Sequence, residues 1–279
     1  MRKIVIFIII SSIIGITGCS QESSPISPLE GGSDLIVIRA YVYAGETVSD
    51  IKITSTLPLG SEEQSAPPIN DAQIAIIKNG TRYVLQTSPG DSGYYHYSSS
   101  DLTIQTGDKL KIEVNYFDRV ATGGTVVPEP TRGLSISKDE LVVPDFSGFG
   151  FGMGGFNIDT TRIRLTVSWE NNNNSLHFIT VENVESDPQQ IDTGMPFFRS
   201  RRFISQPTSR TNYIISFMNV THLGRHCVKV YRINQEYADL YGSRTQNSRD
   251  LNEPLTNIKN GLGVFSAFNS ESVFFNVTQ

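Results

Sequence analysis

Apolar and polar side chains alternate with a period of two residues in many segments from residue 34 onward, and this feature constrains the fold most. In residues 109–116 (KLKIEVNY), every second side chain is apolar and the side chains between them are polar or charged. Successive side chains of a strand point to opposite faces, so this period is typical of strands with one buried face. The chain is therefore predicted to be all-β.

The first half of this region contains several such segments, separated by turn residues. The strongest turn signal is Asn79-Gly80, within AQIAIIKNGTRYVLQT, because both residues tolerate a positive φ in a tight hairpin. Short strands with frequent turns favour an antiparallel sandwich. We predict that residues 34–130 form an N-terminal β-sandwich of immunoglobulin-like or transthyretin-like type.

The alternation stops at Pro128-Glu129-Pro130 and restarts in RIRLTVSWE. Residues 131–158 are predicted to be a linker that includes a Gly/Phe-rich loop at 148–156. Residues 159–279 are predicted to form a C-terminal antiparallel β-sandwich, which ends in two strands, GLGVFSAF and SVFFNV. Domains of about 100–150 residues are common, so two domains suit the chain length.

One short helix is predicted in the second sandwich, near residues 234–242. Asn234 suits the N-cap position, Glu236 lies in the first turn, and Gly242 ends the segment. Three apolar side chains between them have the spacing of one helical face: Tyr237, Leu240 and Tyr241.

Residues 1–18 are predicted to be a lipoprotein signal peptide and not part of the fold. Two basic residues precede the apolar run Ile4–Ile16, which has the length of a secretory core and is shorter than the roughly 20 residues that span a bilayer. The run ends in ITGC, which resembles the bacterial signal for lipid attachment to a cysteine. Cys19 is therefore the predicted lipidation site. The alternative is an ordinary signal peptide followed by a chance cysteine.

The residues after Cys19 predict how the folded part of the chain, which we call the body, would be attached to a membrane. Residues 19–33 are mostly Ser, Pro, Gly and Glu, a composition that predicts a flexible tether. Ser20 stands where an aspartate would signal retention at the inner membrane, so the outer membrane is favoured. We therefore expect a body that is lipid-anchored to the outer membrane, on its periplasmic or cell-surface face.

The charge of the mature chain limits its partners. Residues 1–18 contain Arg2 and Lys3 and no acidic residue, so the mature chain keeps 21 basic and 28 acidic side chains, a net charge of −7. This excess of acidic groups argues against a nucleic-acid partner. If Cys19 carries lipid, Cys227 has no disulfide partner, and the fold depends on its hydrophobic core.

A glycine run resembles a nucleotide-binding loop without its context. Residues 148–155 (GFGFGMGG) contain G-x-G-x-x-G, but a predicted strand follows where a dinucleotide site needs a helix. Nucleotide binding is therefore not predicted. Two interpretations of the loop stay open: its aromatic side chains fold back onto a sandwich face, or they contact a partner or ligand.

Gly90-Asp91-Ser92-Gly93 resembles the nucleophile segment of trypsin-like serine proteases. Those enzymes place the catalytic histidine before the serine, whereas all 4 histidines of this chain follow Ser92. A convergent triad in another order stays open. A hairpin turn is the preferred prediction.

His222 and His226 have the H-x-x-x-H spacing that zinc ligands adopt on a helix. Here no glutamate lies between them, Gly224 interrupts, and the flanking residues predict strands. We predict no metal site and no cofactor. On a strand, His226 and Cys227 would point to opposite faces, so Cys227 is expected to be a buried, inert thiol.

Three arginines within FFRSRRF form a short basic cluster: Arg199, Arg201 and Arg202. Such a cluster could pair with phosphates or acidic sugars, but a solvated strand face is the preferred interpretation. No acidic pair has a spacing that indicates glycosidase chemistry, although catalytic carboxylates in β folds are distant in sequence. The chain is therefore not predicted to be an enzyme.

Segments along nearly the whole mature chain, residues 34–277, are similar to a known family. In the first half these segments are SDLIVIRAYVYAGETVSDIKITSTLPLG, INDAQIAIIKNGTRYVL, GYYHY, GDKLKIEV and TVVP. In the second half they are HCVKVYRINQEYADLY and LNEPLTNIKNGLGVFSAFNS, in which residues 257–265 (N-I-x-x-G-L-G-V-F) are most distinctive. They resemble a Bacteroidota outer-membrane lipoprotein family known as domain of unknown function 4249.

The resemblance implies a cellular setting but no catalytic residues. Members of the family tend to be encoded beside TonB-dependent receptors, which import nutrients through the outer membrane. The function expected is a non-catalytic binding or accessory module associated with such a receptor and with nutrient uptake. Two alternatives stay open: a structural or envelope-organising lipoprotein with no small ligand, and a hydrolase whose acidic residues meet only in the folded chain.

Overall fold

The computed structural model of the protein describes residues 35–57, 61–144, 161–191, 200–243 and 256–279. The predicted lipidation site Cys19, the predicted signal peptide and tether, and the Gly/Phe-rich loop lie outside the described residues. Predictions about these segments therefore stay predictions.

The described residues are mostly strands, which confirms the all-β prediction. In the first half the strands are β1 (Ile36–Tyr43), β2 (Asp50–Ser55), β3 (Gln73–Lys78), β4 (Thr81–Val84), β5 (Gln86–Thr87), β6 (Tyr94–His96), β7 (Lys109–Tyr116) and β8 (Arg119–Val126). In the second half they are β9 (Arg132–Ile136), β10 (Glu140–Val142), β11 (Arg164–Glu170), β12 (Leu176–Asn183), β13 (Arg202–Ile204), β14 (Asn212–Ser216), β15 (Gly224–Ile233), β16 (Ile258–Lys259) and β17 (Leu262–Thr278). The predicted hairpin is confirmed, because β3 and β4 join at Asn79 and Gly80, with φ of 51° and 83°.

Within the described ranges the strands form three sheets. A nine-stranded sheet has the order β13-β12-β15-β17-β1-β2-β6-β5, with β10 beside β17. The other two sheets have the orders β16-β8-β7-β3-β4 and β14-β11-β9. Neighbouring strands are antiparallel except where β17 pairs with β1 and with β10.

The first hydrophobic core lies between one half of the nine-stranded sheet and the five-stranded sheet. Ile38, Ile53 and Phe265 come from the former, Ile76 and Ile112 come from the latter, and all five are fully buried. The alternation in the sequence accounts for this arrangement, because every second side chain of β1, β2 and β7 enters the core. The first sandwich thus follows directly from the pattern.

The second hydrophobic core lies between the other half of the nine-stranded sheet and the three-stranded sheet. Ile179, Val230 and Phe275 meet Val167 and Ile215 there, all buried. The two cores are therefore two sandwiches that share one large sheet. The short helix also forms, as α1 (Gln235–Ser243), close to its predicted position. No helix in the described part is long and apolar enough to cross a membrane.

Strand β17 is the element that both cores share. Its first residues pair with β1 and its later residues pair with β15. Two strands were predicted here, GLGVFSAF and SVFFNV, but pairing to β15 keeps the polar residues between them extended, so that they form one strand. Residues 34–279 form one compact unit. The first core includes residues from outside the predicted segment 34–130, namely Ile258, Phe265 and Ala267.

The predicted linker 131–158 contains two strands in its described part, β9 and β10. Strand β9 pairs with β11 and strand β10 pairs with β17. Sequence periodicity missed them because β10 has only three residues and no residue of β9 is buried, so neither shows a clear apolar face.

The distinctive stretch 257–265 has a structural role at the crossing from β16 to β17. Gly263 has a φ of +101°, and a Cβ there would overlap the carbonyl oxygen of Ile38 on the neighbouring strand. Glycine is the residue that adopts this conformation without strain. The side chain of Asn257 accepts from the Phe265 amide at 2.9 Å and donates to the Phe265 carbonyl at 2.7 Å, which joins both sides of the crossing.

Candidate binding surface

The face of the nine-stranded sheet that points away from the two cores carries a cluster of aromatic side chains from four adjacent strands and α1. Phe178 of β12 lies opposite Tyr231 of β15, and their rings stack with centroids 4.7 Å apart. Tyr43 of β1 lies opposite Phe268 of β17, and these rings stack at 5.2 Å. We call this set the aromatic cluster: Tyr41, Tyr43, Phe178, Tyr231, Tyr237 and Phe268.

Helix α1 packs over the aromatic cluster through Tyr237. The Tyr237 ring meets Phe268 and Tyr41 edge-on, with centroids 5.0 Å and 5.6 Å apart. Edge-to-face contacts of this kind add favourable energy beyond the area they bury. The helix is therefore fixed to the sheet by its aromatic side, as the predicted helical spacing requires.

A polar network holds the start of α1 against the sheets. The Thr125 hydroxyl donates to the Glu236 carboxylate at 2.7 Å and accepts from the Asn234 side chain and the Ala267 amide, both at 3.1 Å. Asn234 also donates to the Val126 carbonyl at 2.7 Å. Its amide group therefore links the start of the helix to β8.

One edge of the aromatic cluster carries a buried phenol. The Tyr43 hydroxyl donates to the Asp50 carboxylate at 3.2 Å. Burial and the neighbouring Asp50 charge raise the pKa of Tyr43 far above its usual range, so this phenol stays protonated. Nearby, Lys229 and Glu46 form a half-exposed ion pair at 3.2 Å. This edge of the cluster is therefore polar.

Next to the aromatic cluster on the same face, two cations flank one tyrosine ring. The Arg39 guanidinium lies 5.6 Å from the centroid of the Tyr94 ring, and the Lys52 ammonium lies 5.3 Å from it. Arg39 also donates to the Tyr94 hydroxyl. We call these three residues, which come from adjacent strands β1, β2 and β6, the basic–aromatic patch. Cation–π contacts hold both charges at the surface in a defined position.

Three clefts border α1. One, of about 340 Å³, lies between the helix and the β1–β17 pair, with Arg39, Tyr41 and Tyr241 among its lining residues. A second, of about 570 Å³, lies between the helix start and β8 and is lined by Lys109 and Glu236 among others. The third, of about 340 Å³, is polar and includes Arg232. The first cleft alone among these has both aromatic and charged walls, a combination that suits a binding site.

The protease-like segment is a turn between β5 and β6. Gly90 and Gly93 both have positive φ, and Asp91 is hydrogen-bonded to the side chain of Asn70. A Ser–His hydrogen bond occurs elsewhere, between Ser88 and His96 at 3.0 Å. Within the described ranges, no carboxylate is hydrogen-bonded to His96, so this pair lacks the orienting group of a triad.

The two spaced histidines lie at the edge of the second core. The His226 ring stacks on Phe275 at 5.3 Å, and its Nδ1 donates to the Gly224 carbonyl. His222 Nδ1 is hydrogen-bonded to the Thr221 hydroxyl at 2.8 Å. Among the described residues, no group of three His, Cys, Asp or Glu side chains could hold a metal ion.

Burial shifts the titration of three histidines and of the described cysteine. It lowers the pKa of His177 to about 4 and also lowers the pKa values of His222 and His226. Cys227 is buried on the face opposite to His226, and burial raises the pKa of its thiol. A protonated, buried thiol is a poor nucleophile.

The basic cluster is only partly described, because Arg199 lies outside the described residues. Arg201 donates to the Glu185 carbonyl at 2.8 Å, and Arg202 lies 3.9 Å from the Glu182 carboxylate. Both side chains therefore have partners within the chain, at the end of the sheet that lies far from α1 along β12.

The aromatic cluster and the basic–aromatic patch were not predicted from the sequence. Their members are far apart in the chain and meet only through strand pairing, as with Tyr43 and Phe268. One signal was present: residues 40–43 (AYVY) are apolar at consecutive positions, which indicates that both faces of β1 are covered.

The fold and this surface define an all-β protein of two sandwiches with a helix packed on the outer face of their shared sheet. A family model described as "Domain of unknown function (DUF4249)" matches residues 24–273. The chain belongs to this family, which confirms that part of the resemblance.

No protein with a curated function matches the chain. Among solved structures, a crystal structure of titin domains A168–A170 is similar at 12% identity and a TM-score of 0.20, over 72% of this chain and 61% of that chain.

Proposed function

We propose that the chain is a non-catalytic accessory lipoprotein of the outer membrane, anchored through lipid on Cys19 and associated with a TonB-dependent receptor in nutrient uptake. The ITGC sequence after a short apolar run supports the anchor. An anchor and tether raise the effective concentration of the body near a receptor in the same membrane, so a modest binding surface suffices.

The observation that carries the binding role is the basic–aromatic patch. Arg39 and Lys52 are held on the Tyr94 ring by three paired strands, so these charges lose little freedom when a partner docks. A mature chain with a net charge of −7 presents a cationic patch here. It suits an acidic patch on the receptor or an anionic group of its cargo.

The contact with the receptor is tested by co-purification of the full acylated chain from membranes in mild detergent, with partners identified by mass spectrometry. We expect a TonB-dependent receptor to be recovered with the wild-type chain and several-fold less with the double variant Arg39→Ala, Lys52→Ala. Lys111→Ala is the matched control, because Lys111 is a half-exposed cation on the other sheet.

Two outcomes would each contradict one part of this proposal. Recovery of cell-wall or envelope-assembly components in place of a receptor would favour the structural alternative. Equal recovery of the receptor with the double variant and with the control would show that the basic–aromatic patch does not contact it. Separately, a Cys19→Ser variant is expected to leave the membrane fraction, and its retention there would contradict the anchor.

A further inference from the structure

Phe117 is a bulky apolar residue held in an unusual position at the tip of the β7–β8 hairpin. Tyr116 pairs with Arg119, so Phe117 and Asp118 form a two-residue loop. Phe117 has a φ of 49°, at a loop position where glycine or asparagine is normal. Its side chain is 85% exposed and contacts the neighbouring Tyr116 ring at 4.5 Å.

This combination works against both stability and solubility. A large side chain with positive φ is strained, and a fully exposed phenyl ring is unfavourable in water. Packing within the described residues offers little compensation, because most of the side chain is exposed. Strained residues of this kind concentrate at sites of interaction.

Strand β1, the first strand of the folded part, begins at the same end of the molecule as the tip of the β7–β8 hairpin. Gly261 shows this directly, because a Cβ there would lie 2.8 Å from the Ile36 carbonyl oxygen and 3.2 Å from the Ala121 Cβ. Ile36 begins β1, and Ala121 is two residues beyond Arg119, which closes the hairpin loop. The start of the body and the tip of the hairpin are therefore neighbours.

Two further exposed apolar side chains lie at this end. Leu57 follows β2 just beyond Thr56, whose amide donates to the Leu35 carbonyl, and it is 36% exposed. Val120 lies on β8 next to the hairpin loop and is 44% exposed. We call these side chains the apolar rim: Leu57, Phe117 and Val120.

The length of chain before the body sets its distance from the lipid. Residues 20–34 number 15, and a chain of the predicted flexible type has an average end-to-end distance of about 20 Å at that length. The apolar rim would therefore lie closer to the membrane than any surface at the far end of β1. The predicted tether would keep this end of the body near the bilayer.

We propose that Phe117 inserts into the surface of the bilayer that holds the lipid anchor, as a second contact that orients the body. The inference rests on the proposed acylation of Cys19. The rim side chains would enter the boundary between headgroups and acyl chains, about 5–10 Å deep. The basic–aromatic patch on the outer face of the sheet would then keep a constant orientation relative to a receptor in the same membrane.

The test places a tryptophan at the tip and measures its contact with lipid. The full acylated chain carrying Phe117→Trp is reconstituted into phosphatidylcholine vesicles whose acyl chains are either brominated or unbrominated. Bromine quenches only tryptophans that enter the bilayer. The native Trp169 is buried in the second core and supplies a constant background in every sample.

We expect the emission added by Phe117→Trp to fall to a small fraction in brominated vesicles and to shift to shorter wavelength on vesicle binding. The matched control is Met218→Trp, because Met218 is 80% exposed and lies in the three-residue 3-10 helix Phe217–Asn219 after β14, in the other half of the body. Its emission is expected to be unchanged. Val120→Trp is a second position on the apolar rim, should Phe117→Trp fail to fold.

The outcomes separate this inference from the proposed function. An acylated chain that floats with vesicles, while neither rim tryptophan is quenched, overturns the insertion and leaves the anchor intact. Equal quenching of the Met218 variant overturns a defined orientation. Loss of receptor co-purification by Phe117→Trp without quenching assigns the rim to the receptor instead of the lipid. An unacylated Cys19 in mass spectrometry overturns both proposals.

Discussion

The hydroxyl of Thr125 donates a 2.7 Å hydrogen bond to the carboxylate of Glu236, which lies 111 residues later in the chain. The same hydroxyl accepts hydrogen bonds from Asn234 and from the amide of Ala267. One buried oxygen thus joins β8, β17 and the start of α1.

Thr125→Val removes that oxygen while keeping the shape of the side chain. The Ala267 amide then loses its side-chain partner in a buried position and Asn234 loses one of its two, so we expect the free energy of unfolding to fall by about 1–3 kcal/mol. Urea unfolding followed by circular dichroism measures the change. Thr125→Ser keeps the hydroxyl and loses one methyl group, so it should cost about 1 kcal/mol. Equal stability of the valine variant and the wild type would refute the network.

Gly263→Ala is expected to lower the free energy of unfolding by about 3 kcal/mol or more. The new Cβ would have a positive φ and would overlap the Ile38 carbonyl oxygen, so the β1–β17 pair must separate. Gly80→Ala is the control, because Gly80 also has a positive φ but no atom lies within 4 Å of a Cβ there. The control should cost about 1–2 kcal/mol. Thermal or urea unfolding of the two variants measures the energy of the clash as the difference between them. Equal losses of unfolding free energy would disprove the clash.

Acid is expected to destabilise the second core before the carboxylates titrate. Burial lowers the pKa of His177 to about 4, below its value of about 6.5 in an unfolded chain, so the folded state favours the neutral ring. Its contribution is therefore complete above pH 6.5 and is lost as pH falls toward 4. Between pH 6.5 and 5 the loss from His177 alone is about 1–2 kcal/mol.

The measurement is the free energy of unfolding in urea at several pH values across that window. His177→Asn should make the dependence less steep, and the slope that remains is expected to come in part from His222 and His226, whose pKa values burial also lowers. A slope equal to that of the wild type would rule out His177 as a source.

Thiol titration tests burial and lipidation in one experiment. Burial raises the pKa of Cys227, so the native chain should react slowly with an aromatic disulfide reagent. After denaturation, a chain acylated at Cys19 should release one equivalent and an unmodified chain two. Cys227→Ser in the acylated form should release none. Rapid reaction of the native chain would contradict the buried position of Cys227.

Phe117→Gly should fold at least as stably as the wild type. Glycine relieves the positive-φ strain, about 1–2 kcal/mol, at an entropic cost of about 0.5–1 kcal/mol, and the exposed ring contributes little packing. Phe117→Ala removes the ring but keeps the strain, so it should be less stable than the glycine variant. Chemical unfolding compares the three proteins, and a large loss for Phe117→Gly would show that the ring stabilises the fold.

Local patterns predicted the local elements. The alternation in residues 109–116 became strand β7 with every second side chain buried, and Asn79-Gly80 became the β3–β4 turn. The helix near 234–242 formed because its apolar spacing matches the aromatic face it packs on. Each of these predictions depends on residues close together in the chain, which is why the sequence sufficed.

The shared sheet and the candidate surface depend on distant pairings. Nothing near Tyr43 indicates that Phe268 lies beside it, or that Arg39 and Lys52 meet over Tyr94. The same limit explains why β17 was predicted as two strands, since pairing with β15 is what keeps the polar residues 269–271 extended. Apolar residues on both faces of β1 were the available clue.

Strand β17 also sets the order in which the chain can mature. It supplies buried residues to both cores, and it follows every other described element in the sequence. A polypeptide emerging from its N-terminus therefore has no complete sandwich to form until β17 has been made, unlike chains whose domains fold one after another during synthesis. Both sandwiches are thus expected to form together, once β17 is available.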